Sequence, residues 1–129
     1  MIEIRTTVRR APHGGARRTP YERLAKAVLG NAYVLSLVLC GDSLARRINR
    51  SHRKKDYAPN VLSFPLGKKE GEIFLNVRKA EREARAYGTT AKKRLALLFV
   101  HGLYHLRGHD HGDTMERLEE KMLRRFELL

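Results

Sequence analysis

The sequence predicts an α+β fold, a single domain over residues 1–129 with a mixed sheet of about four strands packed by about five helices. Two observations carry this. The hydrophobic period changes along the chain in the order strand, helix, strand, helix, two strands, three helices. A chain of 129 residues with 42% hydrophobic residues can build one core without disulfides, and neither an internal repeat nor a long linker divides it.

Ile2 to Val8 alternates apolar and polar residues, many of them β-branched, and reads as a short strand with one buried face. Residues 9–18 hold four arginines among Pro and Gly and read as a basic loop suited to phosphate contact. Thr19 then caps a helix that opens at Pro20 and places Tyr21, Leu24, Ala25, Val28 and Leu29 on one face, with Gly30 and Asn31 ending it. Tyr33 to Cys40, apolar almost throughout, is expected to be a central strand covered on both faces.

After Gly41, Asp42 is the expected cap of a helix with Leu44, Ala45 and Ile48 inward and Arg46, Arg47 and Arg50 outward. Ser51 to Pro59 reads as a polar, basic loop, and Asn60 to Phe64 as a short strand stopped by Pro65. The turn Gly67 to Gly71 joins it to a strand over Glu72 to Val77, giving a hairpin. Arg78 to Tyr87 is a charged helix ended by Gly88, and Thr89 or Thr90 caps the next, which runs from Ala91 into a group of histidines. Asp113 caps a last helix.

The charge is lopsided: 27 Lys and Arg against 14 Asp and Glu give +13, with a pI near 10.5. Such a field attracts polyanions, because each cation that meets a phosphate releases a condensed counterion. Nucleic acid is the favoured partner over an acidic protein. Cys40 is the only cysteine, which excludes an intrachain disulfide and a thiolate metal cage and leaves a buried thiol. No apolar run approaches the roughly 20 residues that cross a bilayer, and Met-Ile-Glu-Ile-Arg is not a signal-peptide start, so a cytoplasmic, soluble protein is expected.

Four of the six histidines fall in His101-Gly-Leu-Tyr-His105-Leu-Arg-Gly-His-Asp-His111. On a helix whose inner face carries Leu95, Leu98 and Phe99, His101 and His105 stack on one side about 5–6 Å apart at Cβ, the spacing that a shared metal requires. Gly108 permits a sharp exit that brings His111 back as a third ligand. His109 and Asp110 compete for that place; His111 is preferred, with Asp110 behind an imidazole, fixing its tautomer. Three imidazoles leave a fourth position open, the arrangement of a catalytic zinc site. A fourth protein ligand from His109 or Asp110 would make the zinc structural instead. The His-Glu-x-x-His motif of metalloproteases has its carboxylate base where this chain has Gly102, which disfavours a peptidase.

These residues resemble a family. The histidine block is similar to the His-Gly-x-Leu-His-Leu-x-Gly-Tyr-Asp-His of the YbeY endoribonucleases, which mature bacterial rRNA. Asn49-Arg-Ser-His-Arg-Lys-Lys-Asp-Tyr-Ala-Pro-Asn-Val-Leu-Ser-Phe-Pro65 is similar to that family's Asn-x-x-x-Arg-x-x-Asp-x-x-Thr-Asn-Val-Leu-Ser-Phe-Pro, and Gly71-Glu-Ile adds a weaker match. The departures are Tyr104 for leucine, His109 for tyrosine, Pro59 for threonine and Glu72 for aspartate.

The resemblance implies an α+β fold, one Zn²⁺ on His101, His105 and His111, and Arg53 as a functional arginine near it, with Arg53 and His101 as the catalytic pair. It also implies a single-strand-specific endoribonuclease of 16S rRNA 3′ end processing and ribosome quality control, with the small ribosomal subunit and its proteins as partners. Without it, Arg53 reads as one solvated charge in Arg53-Lys54-Lys55. Ser63, beside that loop, is expected to bond substrate or backbone. Two other readings remain at this level: an RNA-binding ribosome-assembly factor with a structural zinc, and a zinc hydrolase of peptides or small molecules.

Overall fold

The computed structural model describes residues 1–8 and 19–129. Its elements follow the expected order: β1 (Ile2–Thr6), α1 (Tyr21–Leu29), β2 (Val34–Cys40), α2 (Asp42–Arg53), β3 (Val61–Gly67), β4 (Glu70–Asn76), α3 (Val77–Ala86), α4 (Ala91–Leu106) and α5 (Asp113–Arg125). The basic stretch 9–18, read above as a phosphate-contacting loop, lies outside the described residues.

The strands form one sheet in the order β1-β2-β4-β3, parallel between β1 and β2 and between β2 and β4, antiparallel in the β3–β4 hairpin. Period-two alternation sorts β2 and β4 between two faces. Leu35, Leu37, Leu39, Ile73 and Leu75 join Leu24 and Val28 of α1 and Leu95, Phe99 and Leu103 of α4 in the main core. On the opposite face Val38 and Cys40 pack with Ala45 of α2, flanked by Leu44 and Phe74. That second cover is partial. Ser36, on the same face, donates to the Glu72 carboxylate at 3.2 Å, and Arg5 pairs with it at 3.6 Å. The two-sided cover expected for β2 therefore holds only near its C-terminal end. Cys40 is buried, and burial, then the nearby Asp42 charge, pushes its thiol up to about 12.

Several boundaries differ from the sequence reading for local reasons. Pro20 precedes α1 instead of opening it. The Asp42 carboxylate caps nothing: it accepts from Arg82 at 2.9 Å through both oxygens and from Asn76 at 2.9 Å, tying α2 to α3. Asp113 is the first residue of α5 and does not cap it. Pro65 does not stop β3, because β3 is an edge strand and a residue without an N–H is tolerated there; the ladder shifts register just beyond it. α2 continues through Ser51–Arg53, so Arg53 stands on the last turn of a helix, not in a loop. No helix among the described residues is long and apolar enough to cross a membrane.

Candidate metal centre

The Thr90 hydroxyl accepts from the Lys93 amide at 3.2 Å and starts α4, whose apolar side packs on the sheet and α1. Its last turns carry His101 and His105 one turn apart, with ring centroids 4.5 Å from each other. The chain then reverses at Gly108, whose φ of +103° lies where a side chain would be strained, and the Gly108 and His109 amides close onto His105 and Tyr104 carbonyls at 3.0 Å. The return places the His111 ring 4.8 Å from that of His101 and 4.7 Å from that of His105. One nitrogen from each imidazole lies within 4.8 Å of the other two, a grouping that could hold a metal ion.

The hydrogen bonds show which nitrogens face inward. His101 Nδ1 lies 2.8 Å from Glu119 Oε2, and His105 Nδ1 lies 3.0 Å from the His109 carbonyl oxygen. A carboxylate and a carbonyl only accept, so each Nδ1 carries a proton, and in the neutral rings that a metal needs Nε2 is the nitrogen left with a lone pair. Those Nε2 atoms face each other at 3.0 Å. Two lone pairs that close repel unless a cation lies between them. Two nitrogens each about 2.0–2.1 Å from a tetrahedral zinc lie roughly 3.3 Å apart, slightly more than the 3.0 Å between these two. The donor set therefore fits a metal that imidazole favours. Burial, then the neighbouring His101, pushes the His105 pKa below its ordinary value, which keeps the ring in the neutral form a metal needs.

Glu119 is the site residue that sequence reasoning missed. The sequence reading puts Asp110 behind an imidazole, whereas Asp110 is exposed and hydrogen-bonds none of the cluster. Glu119 comes from α5, one turn from the buried Met115 and Leu123, and its own side chain is 9% exposed. A carboxylate on the apolar face of a helix was the available signal, since one is seldom buried without a partner. His109 contributes its carbonyl, and its ring lies against Tyr104 with centroids 5.6 Å apart.

Gly102, read above as a missing protease base, has a packing role. A Cβ there would stand 2.8 Å from Ser63 Oγ and 3.1 Å from Ile73 Cδ1, so α4 can lie close on β3 and β4 only without a side chain at this position. The Ser63 hydroxyl donates to the Gly102 carbonyl at 3.2 Å; of the two roles expected for it, the backbone bond is the one observed.

The three histidines open into a cleft of about 740 Å³ that Arg53, Tyr57, Asn60, Phe64 and Lys79 also line. The segment between α2 and β3 is fixed by its carbonyls. Tyr57 O accepts from buried Asn49 at 3.1 Å, Ala58 O from Lys79 at 2.8 Å, Pro59 O from the Asn76 side chain at 3.1 Å, and Asn60 O from the Asn76 amide at 2.8 Å. Asp56 takes Arg46 at 2.8 Å and Arg50 at 3.5 Å. Among the described residues no carboxylate pairs with Arg53, which stays exposed in the cleft.

Comparison with known proteins agrees with this geometry. The family model described as Endoribonuclease YbeY matches residues 16–127. The Endoribonuclease YbeY of Solibacter usitatus is 39% identical over 109 residues, spanning 81% of this chain and 74% of that protein. That of Aquifex aeolicus is 37% identical over 114 residues, 83% of this chain and 75% of the relative. A Thermotoga maritima protein solved in solution superposes with a TM-score of 0.69 at 25% identity, covering 95% of this chain and 87% of that one. The family match over most of the sequence, together with a structure that gathers the matched histidines at one cleft, leads to one conclusion: this chain belongs to the YbeY endoribonuclease family.

Proposed function

We propose that residues 1–129 form a zinc-dependent endoribonuclease domain that cuts single-stranded RNA in rRNA maturation, at the 3′ end of 16S rRNA, and in ribosome quality control. The small ribosomal subunit and its proteins are the partners and the cytoplasm is the place of action. The observation that carries the reading is the approach of the His101 and His105 Nε2 atoms to 3.0 Å, with His111 beside them, in a cleft that Arg53 also lines. The names of the relatives and a charge of +13 support RNA as the polyanion.

His101, His105 and His111 would hold the zinc, which when bound supplies a Lewis acid for a phosphoryl oxygen. The rest of the work falls to the chain. The Glu119 carboxylate and the His109 carbonyl hold two imidazoles in the tautomer that presents Nε2 to the cleft. Arg53 offers a planar fork of donors to the phosphate and stabilises the charge that builds on it. His101 and Arg53, which line the same cleft, are the pair we place at the reacting phosphate. The fixed backbone of 57–60 holds the wall that carries Arg53 and orients the strand.

The test uses purified untagged protein, metal analysis and single-stranded rRNA fragments. Arg53→Ala should keep about one equivalent of zinc and lose about 10²–10³-fold in kcat, the range for one preorganised donor to a transition state. His105→Ala should lose the zinc. Full activity in the first variant removes Arg53 from the mechanism, and stoichiometric zinc in the second removes the three-histidine site. RNA binding that survives chelation, with no cleavage by metal-loaded protein, returns the assembly-factor reading.

A further inference from the structure

We propose that Tyr57 is a stacking platform for one unpaired base of the substrate and is what makes this cleft select single-stranded RNA. The inference rests on the nuclease reading above and adds to it a residue that sets specificity. Tyr57 is an aromatic residue left 49% exposed in the cleft that the histidines also line. A lone exposed tyrosine is ordinary on a protein surface. Three features of this one are not.

Its backbone is held where it leaves the ring, since the Tyr57 and Ala58 carbonyls accept from Asn49 at 3.1 Å and Lys79 at 2.8 Å. Asn49 is fully buried, so the anchor itself does not move. A ring placed in advance loses little freedom when a base stacks on it. Secondly, the Lys79 ammonium lies 5.8 Å from the ring centroid, over one face, and Arg53 lines the same cleft. Cations beside an exposed ring are the combination that captures a single strand, phosphate by charge and base by stacking. Thirdly, Phe64, which also lines the cleft, is half-buried and engaged by His52 at 5.2 Å and Phe74 at 6.0 Å between ring centroids, while the three histidine rings there stand against one another. In a duplex the bases are stacked on each other, and a ring on the cleft wall meets only backbone.

The experiment follows binding of the full chain to single-stranded oligoribonucleotides carrying 2-aminopurine, by fluorescence in the mixing phase before cleavage, and to a blunt duplex of the same sequence. Tyr57→Ala should weaken single-strand binding about tenfold or more, Tyr57→Phe should stay within about twofold of wild type, and duplex binding should be the same in all three. One abasic substitution along the oligonucleotide should cost the wild type the same factor and cost Tyr57→Ala nothing further. A purely structural role for Tyr57 would not produce that lost sensitivity. Wild-type affinity in Tyr57→Ala, a loss in Tyr57→Phe equal to that in Tyr57→Ala, or abasic costs that simply add would each overturn the proposal while leaving the nuclease reading intact. Failure of the wild type to bind or cut RNA at all would overturn both.

Discussion

Glu119 offers the sharpest test of how the cluster is held. Its carboxylate meets His101 Nδ1 at 2.8 Å, within the range of a charge-assisted N–H···O bond, and with only 9% of the side chain exposed little water competes for the contact. Such a partner fixes the ring and raises the basicity of the opposite nitrogen, and its removal ordinarily lowers metal affinity by about 10–100-fold, or about 1.4–2.8 kcal/mol. Glu119→Gln keeps an acceptor of the same shape but not the charge, so it belongs near the tenfold end. Glu119→Ala also frees the ring, and belongs near the hundredfold end. Competition between the protein and a chromophoric zinc chelator gives both affinities, and thermal unfolding of the chelated proteins shows that each variant is folded. Wild-type zinc affinity in both variants would refute the argument that Glu119 positions His101 for a metal.

Asn76→Ala removes the α3 cap on the Lys79 amide at 3.1 Å and orphans the Pro59 carbonyl, so denaturant unfolding should show a loss of about 2–3 kcal/mol, with bound zinc unchanged and RNA cleavage reduced. Gly102→Ala forces a Cβ to 2.8 Å from Ser63 Oγ; overpacking of about 1–3 kcal/mol, set against a helix-propensity gain of at most about 1 kcal/mol, predicts a lower Tm by calorimetry. Asp42→Asn tests pH linkage. The hydrogen bond from Arg82 holds the Asp42 carboxyl below its ordinary 3.8, so its contribution is present above that value and disappears as pH falls through the lowered folded pKa. Because the two side chains are 44% and 51% exposed, the variant should lose less than about 1 kcal/mol at pH 7 and match wild type in acid, as read from unfolding at a series of pH values.

The fold was legible because its signals are local. Alternation in Ile2–Thr6, the apolar run ending at Cys40 and the i, i+3, i+4 pattern of α4 each follow from which residues a strand or helix can bury. The approach of His101 to His105 is equally local, since four residues of helix fix it, and Gly108 marks the reversal that returns His111. What stayed hidden depends on tertiary contact. Glu119 reaches His101 only because α5 folds back on α4, 18 residues along the chain. Asp42 resembled a cap, but the fold brings Arg82 within 2.9 Å, and a bidentate arginine outcompetes backbone amides for a carboxylate. Pro65 looked like a stop because edge and central strands cannot be told apart before the sheet order is known.

The cleft is held by two separate networks. The histidines rest on α4 and α5 through Glu119 and the His109 carbonyl, while the segment 57–60 of the cleft rests on Asn49, Asn76 and Lys79. They meet at the Ser63 bond to the Gly102 carbonyl. Metal affinity and substrate affinity are therefore separable by mutation, because a substitution in one network leaves the anchors of the other in place. The ion pairs sharpen the contrast. Asp56 takes Arg46 and Arg50, Asp42 takes Arg82, and Glu83 takes Arg94, so each of these arginines is paired with a carboxylate. Lys79 donates to a carbonyl, which leaves its charge intact, and no described carboxylate pairs with Arg53. Arg53 and Lys79 line the same cleft as the histidines, and in a chain of net charge +13 they are cations placed to meet a phosphate held there.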